Sequence, residues 1–309
     1  MRLRHFFIRL ATCGFATLAA PAAAVESGFN IYPVGSLTFG AGQTPPPGLY
    51  ISPFIGYYEG SIGGDVNIGR VLAVDLNAKF FNAGTNILYV PSTEFFGGHL
   101  GFSLTVPVGH LDFAAQATIG ALSAARTVSG WGFGDIMGRF QLGWTHGPFS
   151  HTFYLSGWLP TGRYEPTFAP NIGLNRPALD VAWAFTYTEP MTMLEFSGAA
   201  GVTFNARNPA TDYLSGIESH LEWAIGKKFG EQLTIGVAGY HYRQLTGDSG
   251  TGATLGPFFS RNNGIGPGLT YVTQIAGHVT VLALRQYWEY EAERHFEGML
   301  STATVTVRY

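Results

Sequence analysis

Leu179-Asp180-Val181-Ala182-Trp183-Ala184-Phe185-Thr186-Tyr187-Thr188 is the stretch on which the fold turns. Leu179, Val181, Trp183, Phe185 and Tyr187 hold every second position, with Asp180, Ala182, Ala184, Thr186 and Thr188 between them. A period of two belongs to a β-strand, whose successive side chains point to opposite faces. One face here is large and oily, the other small and mildly polar. A soluble sandwich would bury the large face and charge the other more heavily. Ala and Thr on the second face instead suit a closed barrel whose bulk meets lipid and whose small residues line an interior.

The pattern recurs along the chain. Leu72, Val74, Leu76, Ala78 and Phe80 alternate with Ala73, Asp75, Asn77 and Lys79. Leu100, Phe102, Leu104 and Val106 alternate with Gly101, Ser103 and Thr105, and Leu194, Phe196, Ala200, Val202 and Phe204 with Glu195, Ser197, Ala199, Gly201 and Thr203. Leu221, Trp223 and Ile225 oppose Glu218, His220, Glu222 and Ala224. Such runs of roughly ten residues or more match what a tilted strand needs to cross a bilayer, about twice a usual soluble strand. At the C-terminus Ala303, Val305, Val307 and Tyr309 share one face, and Thr302, Thr304, Thr306 and Arg308 the other. A last strand ending on an aromatic resembles the signal by which outer-membrane insertion machinery recognises bacterial barrels.

The expected fold class is therefore all-β: a closed antiparallel transmembrane barrel with short periplasmic turns and long extracellular loops. Strands are expected near 48–58, 70–82, 97–107, 131–145, 149–159, 177–188, 193–205, 216–228, 231–245, 265–276, 278–290 and 297–309, twelve in all. Long loops are expected after residues 107, 159, 205, 245 and 290. The 82–96 connection is too long for a periplasmic turn, and 278–290 alternates poorly, which points to a bulge or a misplaced boundary.

Upstream, Arg2, Arg4 and Arg9 flank an apolar stretch, Leu10–Leu18, followed by Ala22-Ala23-Ala24, so residues 1–24 read as a secretory signal peptide. The single cysteine, Cys13, lies inside it, so no disulfide is expected in the exported chain. Composition agrees. Only 12% of residues are charged, against a usual value of roughly 25%. Seventeen Lys and Arg against 20 Asp and Glu leave no positive excess for nucleic acid. With 46% hydrophobic residues and a net charge of −3, the chain is no disordered polypeptide either.

Several segments in a fixed order carry a family resemblance. They are Pro45-Pro46-Pro47-Gly48-Leu49-Tyr50, Asp75-Leu76-Asn77, Gly97-Gly98-His99-Leu100-Gly101-Phe102, Gly132-Phe133-Gly134-Asp135, Leu159-Pro160-Thr161-Gly162-Arg163-Tyr164, Asn171-Ile172-Gly173-Leu174-Asn175, Thr211-Asp212-Tyr213-Leu214-Ser215-Gly216, and Gly239-Tyr240 with Gly247-Asp248-Ser249-Gly250. Over residues 45–309 the chain resembles the outer-membrane proteins described as SphA-like or involved in the meta-pathway of phenol degradation. That resemblance implies a Gram-negative outer-membrane location and passage of small hydrophobic compounds, aromatic ones included.

Parity places Asp75, Asp135, Asp180, Glu195, Glu218, His220 and Glu222 on the inward face, with Lys79, Arg139 and Arg308 as inward cations. These residues are the expected lumen or substrate path, and the lumen is expected to lean acidic and to disfavour anions such as benzoate. A charge facing lipid at midplane costs about 2–4 kcal/mol, which favours the inward assignment. Mutual pairing inside a narrow barrel would account for the same residues. Asn175, Asp212 and Tyr213 fall at the expected extracellular mouth, where Asp248 suits a turn. Residues 25–47, rich in Gly and Pro, precede the barrel at 48–309 and either fold into the lumen as a plug or hang in the periplasm.

The rival class is an outer-membrane lipid or ester hydrolase, and the third a structural or adhesive barrel. Ser150-His151 and Ser219-His220 invite the hydrolase reading, yet adjacent strand residues face opposite ways and cannot form a nucleophile and base by themselves. Nine histidines are scattered without ligand spacing, and Gly132-Phe133-Gly134-Asp135 opens a strand, not a phosphate-binding helix, so no metal or cofactor is expected.

Overall fold

A computed structural model describes residues 29–62, 65–66, 72–119, 122–166, 170–253, 256–257 and 259–309; the expected leader lies outside them. Twelve antiparallel strands close into one barrel. They are β1 (Gly48–Ile62), β2 (Leu72–Val90), β3 (Gly98–Ile119), β4 in an extracellular segment Leu122–Phe133 and a periplasmic segment Ile136–His146, β5 (Phe149–Leu159) and β6 (Ala178–Thr188). β7 (Leu194–Asn205), β8 (Glu218–Phe229), β9 (Leu233–Gln244), β10 (Arg261–Ile275), β11 (His278–Glu293) and β12 (Glu297–Arg308) complete it. Each pairs with the next, and β12 returns to β1 with Tyr50 opposite Arg308. The Tyr309 amide donates to the Leu49 carbonyl at 2.8 Å and fastens the seam.

β6 shows why the sequence reads as it does. Ala178, Asp180, Ala182, Ala184 and Thr186 are buried inward, while Leu179, Val181, Trp183 and Tyr187 lie exposed on the outer face. Phe153, Leu155, Phe204, Leu221, Ile225, Ile235, Val237, Leu284 and Val305 continue that exposed apolar surface around the barrel. Soluble proteins rarely present so continuous an apolar belt to water; here acyl chains cover it.

Three connections differ from the sequence expectation. Residues 83–90 continue β2, which shortens the periplasmic connection to a turn where Glu94 and Phe95 pair with His99 and Gly98. Of the stretch 108–130, expected as a loop, residues 108–119 and 122–130 form the extracellular ends of β3 and β4. β11 runs on to Glu293, leaving a tight turn where a long loop was expected. The irregularity expected in β11 belongs to its pairing with β10, whose register shifts between Arg261, opposite Glu293, and Asn263, opposite Tyr290.

The 19-residue β2 and 22-residue β3 are longer than a bilayer requires, so their far halves stand above the membrane. Water then touches the outer face and the apolar side turns in. Leu76 and Ala78 are buried inward with Tyr58, Leu111 and Phe296, opposite to the parity read from the sequence. The interruption of β4 falls at Gly134-Asp135, where β3 changes partner from the extracellular to the periplasmic segment.

Candidate functional site

The lumen is crossed by residues 29–47. At its extracellular end Phe29 stacks on Phe296 at 4.8 Å and packs beside Tyr58 and Phe80. Tyr32 then lies flat on His220, ring centroids 3.5 Å apart. Its hydroxyl donates to Glu222 Oε1 at 2.5 Å, and the Leu37 amide donates to Oε2 of the same carboxylate at 2.7 Å. The Gly40 amide donates to Glu195 at 2.8 Å, and the Gly42 amide to Thr186 at 3.0 Å. In return the wall donates to segment carbonyls: Tyr287 to Gly35, Tyr154 to Ala41 and Thr152 to Gly42, at 2.7–3.0 Å. Arg308 closes the series on Pro47 at the periplasmic end.

Glycine is required for that close approach. Gly40 sits at φ +71, and a Cβ on Gly42 would come within 2.4 Å of the Phe185 Cα. Phe39 fills the notch left by Gly226 and Gly268. A segment without regular structure thus has its backbone groups satisfied by inward carboxylates, hydroxyls and phenols, as burial demands.

The residues expected to line a path are distributed as follows. Asp180, Glu195, Glu218, His220 and Glu222 are all buried in the lumen. Asp180 accepts from Thr203 at 2.8 Å and contacts His220 Nε2 at 3.0 Å. Glu195 also accepts from Ser197 and pairs with Lys228 at 3.0 Å. Glu218 accepts from Asn205 and stands 3.6 Å from the buried Arg176. Arg139 donates to Ser156 at 2.9 Å and lies over the Tyr154 ring. The Asp75 side chain lies outside the described residues. Asp135 clamps the loop after β5, accepting from the Gly162 amide at 2.9 Å and the Leu174 amide at 2.7 Å.

Lys79 does not line the lumen. It is exposed on the outer face, 3.0 Å from Glu59, because this part of β2 rises beyond the bilayer. Further inward groups carry no alternation signal of their own: Arg176 sits in a loop, and Arg285 donates to Thr38 at 2.6 Å. Glu289 gathers Tyr58, Tyr240 and Asn262, each at 2.6 Å. With Arg176, Lys228 and Arg285 counted, the charge balance inside is more even than the sequence suggested.

At the mouth, Asn175 (φ +53) donates to Asn208 at 2.8 Å, tying the loop after β5 to the loop after β7. Asp212 (φ +54) accepts from the Thr251 amide at 3.0 Å and hydroxyl at 2.6 Å and pairs with Arg207, so its carboxyl is held down at about 2. Tyr213 is buried and donates to Asp248, which also accepts from the Gly216 amide and Gln244. Mouth and loops form one hydrogen-bonded lattice.

Neither sequence-adjacent Ser-His pair is assembled. Ser150 faces inward and bonds Thr145, while His151 stacks outside on Trp144. Ser219 faces lipid and donates to the Arg243 carbonyl, while His220 faces the lumen.

Strands, belt and filled interior define an outer-membrane β-barrel. The chain belongs to the family described as "Putative MetA-pathway of phenol degradation", whose model matches residues 61–303. Its fold resembles the COG4313 outer membrane channel from Pseudomonas putida F1, with 12% identity, TM-score 0.68, and coverage of 91% of this chain and 100% of that one. A Pseudomonas aeruginosa FadL homologue is more distant, at 8% identity and TM-score 0.45 over 94% and 99% of the two chains. No curated protein matches the sequence.

Proposed function

We propose that this protein is a passive outer-membrane channel for small hydrophobic compounds, phenol-like aromatics among them. Family membership over residues 61–303 carries the reading. Residues 29–47 act as a fixed plug that narrows the aqueous route, and the solute moves along the boundary between plug and wall down its own gradient. A neutral aromatic is favoured over its anion, because an unpaired charge is costly to desolvate among groups that already have partners. The strand ending in Tyr309 serves as the recognition element for the insertion machinery.

The test compares entry of radiolabelled phenol and benzoate into lipopolysaccharide-bearing cells with and without the protein. The account expects faster phenol entry and little change for benzoate. An equal gain for benzoate, or none for phenol, contradicts it.

A hydrolase is the second reading, favoured by one observation. On the outer face of the β3–β4 extension, Ser129 Oγ lies 3.2 Å from His110 Nε2, and Asp112 is 3.6 Å from His110 Nδ1. The Asp–His separation is beyond a hydrogen bond, so nothing fixes the imidazole as a base. Phospholipid or ester hydrolysis by the refolded protein that disappears in Ser129→Ala would establish this reading; no hydrolysis is expected.

A further inference from the structure

The outer face of the barrel carries a feature that the channel reading does not use. On β8, β9 and β10 the outward positions nearest the extracellular ends are Ser219, His241, Arg243, Arg261 and Asn263, where apolar residues fill the same face lower down. Arg243 and Arg261 stand directly opposite each other in register. Like charges so placed repel unless an anion joins them. Glu293 reaches Arg261 at 2.8 Å, but among the described residues Arg243 has no acidic partner, and its side chain is exposed. His241 is held against Asn263 at 2.6 Å.

Just below this basic rim the lipid-facing wall is indented. Ala200 on β7 lies between Trp183 and Leu221 in register, so a small side chain forms the floor and large ones the sides. The resulting open groove of about 410 Å³ is bounded by Phe153, Val181, Trp183, Val202 and Leu221 and reaches Ser219 and His241 at the rim. An apolar trough that ends at Ser219 and His241, with Arg243 opposite Ser219 and Arg261 opposite Arg243 in register, has complementarity for one kind of molecule.

We infer that this face binds a single phosphorylated lipid of the outer leaflet, an acyl chain lying over Ala200 and a headgroup phosphate between Arg243 and Arg261. Cations at a membrane surface attract anionic headgroups, and arginine forks match phosphate oxygens. The site is on the wall, away from the lumen, so it stands or falls separately from the channel reading.

Native mass spectrometry of the full protein in maltoside micelles tests it, using hexa-acyl lipid A bearing two phosphates and the same lipid after dephosphorylation. The bisphosphorylated lipid is expected to stay bound at a stoichiometry of one and at least roughly tenfold more tightly than the dephosphorylated form. Arg243→Gln with Arg261→Gln should abolish that preference, and Ala200→Trp should weaken both lipids. All variants should remain heat-modifiable on gels, because the substituted side chains lie on the outside of the wall. Equal binding of the two lipids, or a double variant that keeps the preference, would overturn the site. Displacement by inorganic phosphate alone would reassign the rim to a free anion and overturn the lipid site. An unaltered affinity in Ala200→Trp would refute the acyl groove.

Discussion

Glu222 is the residue on which the inner segment depends most. Its two oxygens receive the Tyr32 hydroxyl and the Leu37 amide. Glu222→Ala leaves both donors buried without an acceptor, a loss of about 2 kcal/mol or more, whereas Glu222→Gln keeps one acceptor and loses less. Hydrogen exchange at the Leu37 amide should rise sharply in the Ala variant and modestly in the Gln variant; equal protection in all three would count against the latch. Asp212 gives a pH prediction at the same scale. Its folded carboxyl is held at about 2, below the ordinary 3.8, by Thr251 first and then Arg207. A depressed carboxyl contributes stability that is complete above the ordinary value and lost as pH falls through the folded one. Thr251 amide protection should therefore be flat above pH 4 and decline toward pH 2, and Asp212→Asn should remove the pH dependence. Legibility at this scale is uneven. Parity alone brought Asp180, Glu195, Glu218, His220 and Glu222 together inside, because all lie on strands that do little more than cross the membrane. It could not reveal Arg176 in a loop, nor that the partners of Glu195 and Glu222 include backbone amides of glycine and leucine, which leave no mark in a pattern of side chains.

Among the elements, β6 and β7 were readable end to end, whereas β2 was read in the wrong sense. The alternation at Leu72–Phe80 is real, but that half of β2 stands above the bilayer, where the apolar face packs inward on Phe29 and Phe296 and Lys79 meets water. A period of two says that a strand has two faces; which face is oily side out depends on the solvent at that height. Substitution distinguishes the two heights. Ile87→Arg, on the lipid-facing part of β2, should destabilise the barrel by about 2–4 kcal/mol near midplane, and Asn77→Arg on the same parity by less than about 0.5 kcal/mol. Guanidinium unfolding in lipid vesicles measures both, and similar losses at the two positions would remove the protruding hairpin from the account. The poor alternation at 278–290 has no counterpart in the register within that stretch; the shift in its pairing with β10 falls at the extracellular end, between Arg261 and Asn263.

For the molecule as a whole, two surfaces of opposite character are built from one alternating chain. The outer belt needs lipid to cover it, and the inner face is covered by the chain's own residues 29–47. The barrel itself could be read from the sequence because a bilayer imposes strand length and alternation together. The location of the Gly- and Pro-rich segment could not, since a plug and a periplasmic tail have the same composition, and its place was decided by hydrogen bonds with residues more than a hundred positions away. The central claim, that this segment occupies and narrows the transport route, is tested most directly by single-channel conductance in planar bilayers. The intact protein should show a very small conductance, and a variant lacking Glu26–Pro45 a severalfold larger one; identical conductance in the two proteins would contradict it.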